Sequence, residues 1–314
     1  MSDNSDLTHK SVVDILSTYG IQTINSFRLL SGGSANSNYL VKTSNKDYVL
    51  TISEQKSSDE ASKLASLLEY LEDNNFPTSK IVKTTENEVI SSWNAKPIMV
   101  KEYLDGDIVD DLSLPLLTSL GEQLASLHLL PAPDYLPKTL SYGVEKYDEI
   151  KVYAPESDFF SWLKETQAYI ESFISEDLPY AMIHSDIFSD NIIVSKDGDT
   201  ATIMDFEEAT YYYRVFDLGM IMVGTCCGAA GLSFEKAKAL LTGYQKSITL
   251  ADCEVKALQA FTAYGAAATA FWRHQNFNYL NVDEKMKDHY KAMQNIAVEV
   301  LKIPNDEFQE KLAI

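Results

Sequence analysis

Polar side chains in the middle of the chain have the spacing that phosphoryl transfer requires. His184-Ser185-Asp186 is followed after four residues by Asn191, and Asp205 follows a predicted strand, turn and strand. This is the order of a catalytic loop and a metal loop. Asp186 can accept a hydroxyl proton, while Asn191 and Asp205 can bind Mg²⁺ on the phosphate tail of ATP. We therefore predict that Asp186 is the catalytic base and that Asn191 and Asp205 are metal ligands.

The alternatives for this segment have less support. A surface hairpin with scattered polar residues would not need Asn191 and Asp205 at these two positions. We expect His184 to brace the loop rather than to carry a proton. The sequence has neither a His-Glu-x-x-His motif nor a Gly-x-Ser-x-Gly motif, which argues against a zinc protease and a serine hydrolase.

A small, polar stretch near the N-terminus is a candidate for phosphate binding. Residues 31–37 join two predicted strands, and backbone N–H groups in such a loop can approach phosphates closely. The stretch is not Gly-x-Gly-x-x-Gly, and a plain hairpin turn is the alternative. We assign ATP binding to Gly32, Gly33, Ser34 and Asn36.

The predicted elements divide the chain into two lobes. Residues 1–104 alternate five predicted antiparallel strands (27–30, 38–43, 48–52, 89–92 and 98–103) with a helix at 59–74, after a first helix capped by Thr8. Residues 105–314 are mainly helical, with predicted helices at 114–130, 156–175, 215–227, 234–245, 251–275 and 284–302 and a β-rich interruption at 183–205. We predict an α+β fold with a small ATP-binding lobe and a large helical lobe for catalysis and acceptor binding.

Charge and composition narrow the possible partners. The chain of 314 residues has 26 basic and 46 acidic side chains, for a net charge of −20. Such a surface repels nucleic acids and anionic membranes. Three clustered cysteines make no disulfide framework, and no apolar stretch is long enough for a membrane span. We expect a soluble, cytoplasmic protein with a small-molecule partner.

Motifs along most of the chain resemble those of one enzyme superfamily. They lie at residues 34–39, 48–51, 71–77, 96–98, 121–128, 184–191, 205–206 and 238–245. On these residues the sequence resembles the aminoglycoside phosphotransferase and choline kinase superfamily, and most closely the homoserine kinases of the bacterial threonine pathway. The resemblance implies a protein-kinase-like fold that uses Mg·ATP to phosphorylate a small-molecule hydroxyl. It also implies that the backbone of Lys101, Glu102 and Tyr103 is the adenine-binding hinge.

One departure from the kinase pattern concerns the phosphates. The third kinase strand usually supplies a lysine to the α- and β-phosphates, but Thr51 stands there, as it tends to in sequences similar to homoserine kinase. Lys42 and Lys63 are both candidates for the missing cation.

The acceptor is the other open question. Residues 205–219 resemble the choline and ethanolamine kinase loop, in which Glu207 beside aromatic rings could bind an ammonium group. Arg273 or His274 could bind the carboxylate of an amino acid, and packing of their helix against its neighbour is the alternative. Asp217 is expected to brace the loop beneath His184. These features do not decide among the acceptors. The resemblance implies homoserine, with choline, ethanolamine or an aminoglycoside as alternatives, and a non-catalytic nucleotide-binding pseudokinase as the third hypothesis.

Overall fold

The computed structural model of the protein describes residues 7–30, 36–228 and 230–314. The chain forms two compact units, Met1–Asp105 and Gly106–Ile314. The elements of the first unit, in chain order, are α1 (His9–Ser17), β1 (Ile24–Leu29), β2 (Asn36–Thr43), β3 (Asp47–Ser53), α2 (Ser58–Asp73), β4 (Ile81–Val82), β5 (Ser91–Trp93) and β6 (Lys96–Glu102).

The first unit is built on a six-stranded antiparallel sheet. The strand order is β1-β2-β3-β6-β4, and β5 also pairs with β6. The predicted antiparallel sheet is confirmed, but the count of five strands was wrong. The missed strand, β4, has two residues, which is too short for an alternating pattern to appear in the sequence.

One face of this sheet forms a hydrophobic core with α1. The side chain of Thr8 accepts a hydrogen bond from the Ser11 N–H at 3.1 Å, so the predicted N-cap is confirmed. Successive strand residues point to opposite faces, which places alternate apolar residues of β2, β3 and β6 on the same side as the apolar side of α1. This core includes Val12, Ile15, Leu16, Tyr39, Val41, Leu50, Ile52, Ile98 and Val100.

The second unit is mainly helical. Its elements, in chain order, are β7 (Gly106–Asp107), α3 (Leu114–Leu129), α4 (Asp158–Glu171), β8 (Tyr180–Ile183), β9 (Ile192–Ser195), β10 (Ala201–Ile203), β11 (Thr210–Tyr213), α5 (Arg214–Cys226), β12 (Cys227–Gly228), β13 (Gly231–Leu232), α6 (Phe234–Tyr244), α7 (Asp252–Gln275), α8 (Tyr290–Leu301) and α9 (Asn305–Leu312). Three 3₁₀ segments lie at Val144–Val152, Ser189–Asn191 and Phe206–Glu208, and a π-helical turn at Asn276–Leu280 continues α7. Among the described residues, no helix is both long and apolar enough to cross a bilayer.

The predicted helices of this unit are present, with two differences at the C-terminal end. Residues 284–289 were predicted to be helical but form turns before α8, where the Asp283 carboxylate accepts the Lys285 N–H at 2.8 Å. The prediction also missed α9, which buries Phe308 and Leu312. Two apolar residues four positions apart are too few to show a helical period.

Helices α3 and α6 approach each other through glycine. A Cβ atom added to Gly121 would lie 2.0 Å from the Leu240 carbonyl oxygen, and one added to Gly243 would lie 1.8 Å from the Thr118 carbonyl oxygen. Neither position has room for a side chain. The two backbones are therefore in direct contact along this seam.

Candidate active site

The loop that carries Asp186 begins where β8 ends and contains a strained residue. Ser185 has φ of +68°, a left-handed conformation that L-residues other than glycine rarely adopt. Three bonds hold it there. The Ser185 carbonyl accepts the Tyr142 hydroxyl at 2.6 Å, its hydroxyl donates to the Glu208 carbonyl at 2.6 Å, and its N–H donates to an Asp217 carboxylate oxygen at 2.6 Å. The surroundings of Ser185 thus determine the conformation of this loop.

Asp217 lies in α5 and is fully buried. Its Oδ2 accepts the His184 N–H at 2.7 Å and its Oδ1 accepts the Ser185 N–H. The His128 ring of α3 is also hydrogen-bonded to Oδ2, through Nε2 at 3.2 Å, and its Nδ1 pairs with the Tyr244 hydroxyl at 2.8 Å. These contacts fit the bracing role predicted for Asp217. The sequence analysis assigned no role to His128 or Tyr142.

His184 is also fully buried and is bonded at both ring nitrogens. Its Nε2 donates to the Met204 carbonyl at 2.9 Å, and its Nδ1 accepts the Asp186 N–H at 3.2 Å. The ring packs edge-on against Phe206 with 4.6 Å between centroids. With both nitrogens occupied by backbone groups, His184 connects the two loops, and its predicted bracing role is compatible with these contacts.

Asp186 is half-buried, and several neighbouring carboxylates act on its own carboxylate. Burial raises the pKa of Asp186 to about 6, with further contributions from the carboxylates of Glu208, Asp190 and Asp205, while His184 opposes the shift. The Asn191 amide donates to the Asp186 carbonyl at 2.8 Å and lies 3.4 Å from its Oδ2. The structure thus brings Asp186 and Asn191 into contact.

Asp205 lies at the end of the hairpin formed by β9 and β10. The Met204 N–H donates to the Asn191 carbonyl at 2.9 Å, which ties the two ends of this hairpin together. Asp205 is exposed and has φ of +66°. Asn191 donates through its amide nitrogen, which leaves its amide oxygen as an available ligand. Amide and carboxylate oxygens fit Mg²⁺, which rarely has an all-protein cage. Among the described residues, no group of three or more His, Cys, Asp or Glu side chains could hold a metal ion alone.

The two glutamates after Asp205 differ in their relation to Asp186. The Glu208 carboxylate accepts the Ser141 hydroxyl at 2.6 Å and contributes to the raised pKa of Asp186. Glu207, the residue predicted to bind the acceptor, is half-buried in the same 3₁₀ segment. The sequence analysis missed Glu208, because adjacent glutamates in a loop cannot be distinguished without the backbone path.

Arg273 and His274 point in different directions from the C-terminal end of α7. The Arg273 guanidinium lies over the Phe188 ring, 5.8 Å from its centroid, and its nearest charges are those of Asp190 and Asp186. Burial lowers the pKa of Arg273. Within the described part of the chain, no carboxylate is within ion-pair distance of this guanidinium.

His274 lies instead in an aromatic cluster, stacked on Phe159 at 4.1 Å and edge-on to Tyr290 at 4.8 Å. Burial lowers the pKa of His274 to about 4, and its Nδ1 has no hydrogen-bond partner among the residues that the structure describes. The structure brings Arg273 to the Asp186 loop and places His274 in the packing between α7, α4 and α8.

The predicted ATP-binding residues of the first unit lie at two places on its sheet. Asn36 begins β2, whereas Gly32, Gly33 and Ser34 lie outside the described residues. Lys101 and Glu102 end β6, with Tyr103 directly after it.

The backbone of the predicted hinge is already partly bonded. The N–H groups of Glu102 and Tyr103 donate to the carbonyls of Lys80 and Asp47 at 2.8 and 3.0 Å. Those two amides are therefore not available to a ligand. The next amide along the chain, that of Leu104, has no acceptor among the described residues.

Comparison with known proteins places the chain in a family. The model of the phosphotransferase enzyme family matches residues 26–246. The chain belongs to this family. It is a small-molecule kinase with a protein-kinase-like α+β fold, as the sequence analysis predicted.

Curated relatives include two bacterial homoserine kinases. The chain is 27% identical over 281 residues to the homoserine kinase of Caulobacter vibrioides (strain NA1000 / CB15N), covering 86% of this chain and 88% of the relative. It is 26% identical over 293 residues to that of Rhodopseudomonas palustris (strain TIE-1), covering 90% and 89%.

Solved structures of other small-molecule kinases share the fold. A microcompartment-associated aminopropanol kinase matches with a TM-score of 0.71 at 16% identity, covering 96% of this chain and 98% of that one. Spectinomycin phosphotransferase in complex with ADP and spectinomycin matches with a TM-score of 0.68 at 17% identity, covering 98% of each chain. The ethanolamine kinase of Plasmodium vivax matches with a TM-score of 0.69 at 16% identity, covering 95% and 92%.

Proposed function

We propose that the protein transfers the γ-phosphate of ATP to the hydroxyl of a small amino acid, homoserine. The observation that carries this proposal is the pair of opposite charges beside Asp186. The Arg273 guanidinium, without an ion pair among the described residues, and the Glu208 carboxylate each interact electrostatically with Asp186. An α-amino acid has a carboxylate for the first and an ammonium group for the second. The two homoserine kinase relatives support the same acceptor.

In this proposal each residue of the loop has one task. Asp186 accepts the hydroxyl proton of the acceptor, and the buried contacts of Ser185 and Asp217 hold its backbone in place. Asn191 and Asp205 would hold Mg²⁺, which when bound neutralises charge on the ATP phosphates. The amide of Leu104, directly after the predicted hinge residues Lys101–Tyr103, would donate to adenine. The expected place of action, the cytoplasm, stays a prediction.

The test is a coupled ADP-release assay with acceptors that each lack one group. We expect activity with homoserine and little with 3-aminopropanol, which lacks the carboxylate, or with 4-hydroxybutyrate, which lacks the amine. Arg273→Met should raise the KM for homoserine by roughly tenfold or more, because a charge-assisted bond is lost. The same change should leave the KM for 3-aminopropanol unaltered. Equal losses with both acceptors would contradict the role of Arg273.

A second candidate function is the phosphorylation of choline, ethanolamine or an aminoglycoside. It is favoured by the Glu208 carboxylate at Asp186 and by the Tyr211–Tyr213 run that follows it. These acceptors carry an amine but no carboxylate, so they leave Arg273 without a partner. Choline or ethanolamine stimulating ADP release where homoserine does not would establish this alternative. Binding of Mg·ATP with no transfer to any of these hydroxyls would instead support the non-catalytic hypothesis.

A further inference from the structure

Thr51, which stands where kinases have a phosphate-binding lysine, lies in a row of neutral side chains. In the sheet register Thr51 pairs with Asn38 of β2 on one side and with Met99 of β6 on the other. Asn36 and Ser53 form the next row toward the start of β2. Paired residues of adjacent strands point to the same face. Among the described residues, the side chains of these two rows are therefore amide, hydroxyl and thioether groups, without a cation.

Three candidate lysines of this unit lie elsewhere. Lys63 pairs with Asp59 at 2.7 Å on α2. Lys96 pairs with Glu54 on the opposite face of the sheet, since its strand neighbour Ile98 belongs to the core. Lys42 shares the face of Thr51 but is four residues from Asn38 along β2, roughly 13 Å away.

Two further cations, Arg28 and Lys101, are on the face of Thr51 in the adjacent row. Leu40 and Val49 lie between them in that row. Along the strands this row is about 7 Å farther from the start of β2 than the row of Thr51. Neither cation is a neighbour of Thr51 in the register.

Thr51 and Asn38 are joined by a hydrogen bond that fixes the orientation of the amide. The Thr51 hydroxyl donates to the Asn38 Oδ1 at 2.7 Å. Thr51 is buried, whereas Asn38 is half-buried. Because Oδ1 accepts this bond, the Nδ2 end of the amide is directed away from Thr51. In the described part of the chain this nitrogen has no acceptor.

We propose that Asn38 is a phosphate-binding residue that replaces the third-strand lysine, and that Thr51 is the residue that positions it. The Asn38 amide nitrogen offers two N–H donors, and amide donors bind phosphate oxygens without the charge of a lysine. With its oxygen accepting from the buried Thr51 hydroxyl, the amide presents its N–H donors to the anion. This inference rests on the proposed function in one respect, namely that the anion is the phosphate tail of ATP.

The test compares a ligand that has phosphates with one that has none. Binding of the Mg²⁺ complex of a non-hydrolysable ATP analogue and of adenosine to the full chain is measured by calorimetry. Asn38→Ala should weaken binding of the analogue on the order of tenfold while adenosine binding is unchanged. Asn38→Asp, which keeps the acceptor and adds a negative charge, should weaken it further.

Matched variants separate positioning from folding. Thr51→Val removes the hydroxyl at nearly constant volume and should reproduce part of the Asn38→Ala loss, whereas Thr51→Ser keeps the hydroxyl and should bind the analogue as the wild type does. Lys42→Met should have no effect. The inference is overturned if Asn38→Ala binds the analogue normally or if adenosine and analogue binding fall equally. It is also overturned if Lys42→Met is the variant that weakens binding of the analogue.

The assay needs no acceptor, so it is independent of the acceptor proposal. Selective loss in Asn38→Ala supports the role of Asn38 even if homoserine is never phosphorylated. A wild-type chain that binds neither ligand would overturn the role of Asn38 and the proposed kinase activity together.

Discussion

Replacing Asp217 by asparagine should destabilise the second unit and the loop that carries Asp186. The carboxylate accepts two backbone N–H bonds, at 2.7 Å from His184 and 2.6 Å from Ser185. Asparagine keeps one acceptor oxygen and presents an N–H group where the other oxygen was. One buried backbone donor then loses its partner and faces another donor. Bonds to a charged group contribute about 1.5–3 kcal/mol each, so we expect a loss of roughly 2–4 kcal/mol.

The loss is measured as the free energy of unfolding in urea, followed by circular dichroism. At roughly 2–4 °C per kcal/mol for a unit of this size, the melting temperature should fall by about 10 °C. The rate of phosphate transfer should fall as well, since Ser185 precedes Asp186 directly. Asp134→Asn is the matched control, because Asp134 is exposed and its change should stay within about 0.5 kcal/mol. Equal unfolding free energies for the two variants would refute the reasoning.

Three further changes test other buried contacts. Glu254→Gln removes the fully buried partner of Arg214, bonded at 2.6 and 2.7 Å, and should lower the unfolding free energy by about 3–5 kcal/mol. Gly243→Ala forces the seam of α3 and α6 apart and should cost about 3 kcal/mol in the same urea experiment, while Gly228→Ala, whose added Cβ would meet no atom of the described residues within 4 Å, should be nearly neutral. For His274, whose buried ring has a pKa near 4, the unfolded chain takes up a proton at higher pH than the folded chain. Stability is therefore lost as the pH falls from about 6.5 to 4, by up to about 3 kcal/mol, and His274→Phe should lose correspondingly less over that range.

Much of the fold could be predicted from the sequence because the patterns are long. The apolar spacing of α3, α5 and α7 and the alternation in β2, β3 and β6 are strong signals of their elements. The short strand β4 and the short helix α9 carry too few apolar residues for either pattern. Residues 284–289 were wrongly assigned to a helix, because nothing in this charged stretch before α8 indicates that it is not helical.

The candidate site was predictable where chemistry depends on spacing along the chain. The positions of Asp186 and Asn191 follow from the motif, and the structure places them in contact. Which side chains converge from distant segments did not follow from the sequence. Arg273 and His274 are neighbours in the sequence, but about 100° of helical rotation separates them, so only one of them reaches the loop.

The seam between α3 and α6 bears on how this enzyme could be changed in the laboratory or in evolution. Gly121 and Gly243 each face the backbone of the other helix, so neither can be replaced first without displacing its neighbour. The same two helices carry His128 and Tyr244, which connect to Asp217. A library aimed at new acceptors should therefore keep the residues of this seam constant. It should vary Glu208 and Arg273 instead, because changing these side chains requires less movement of the backbone.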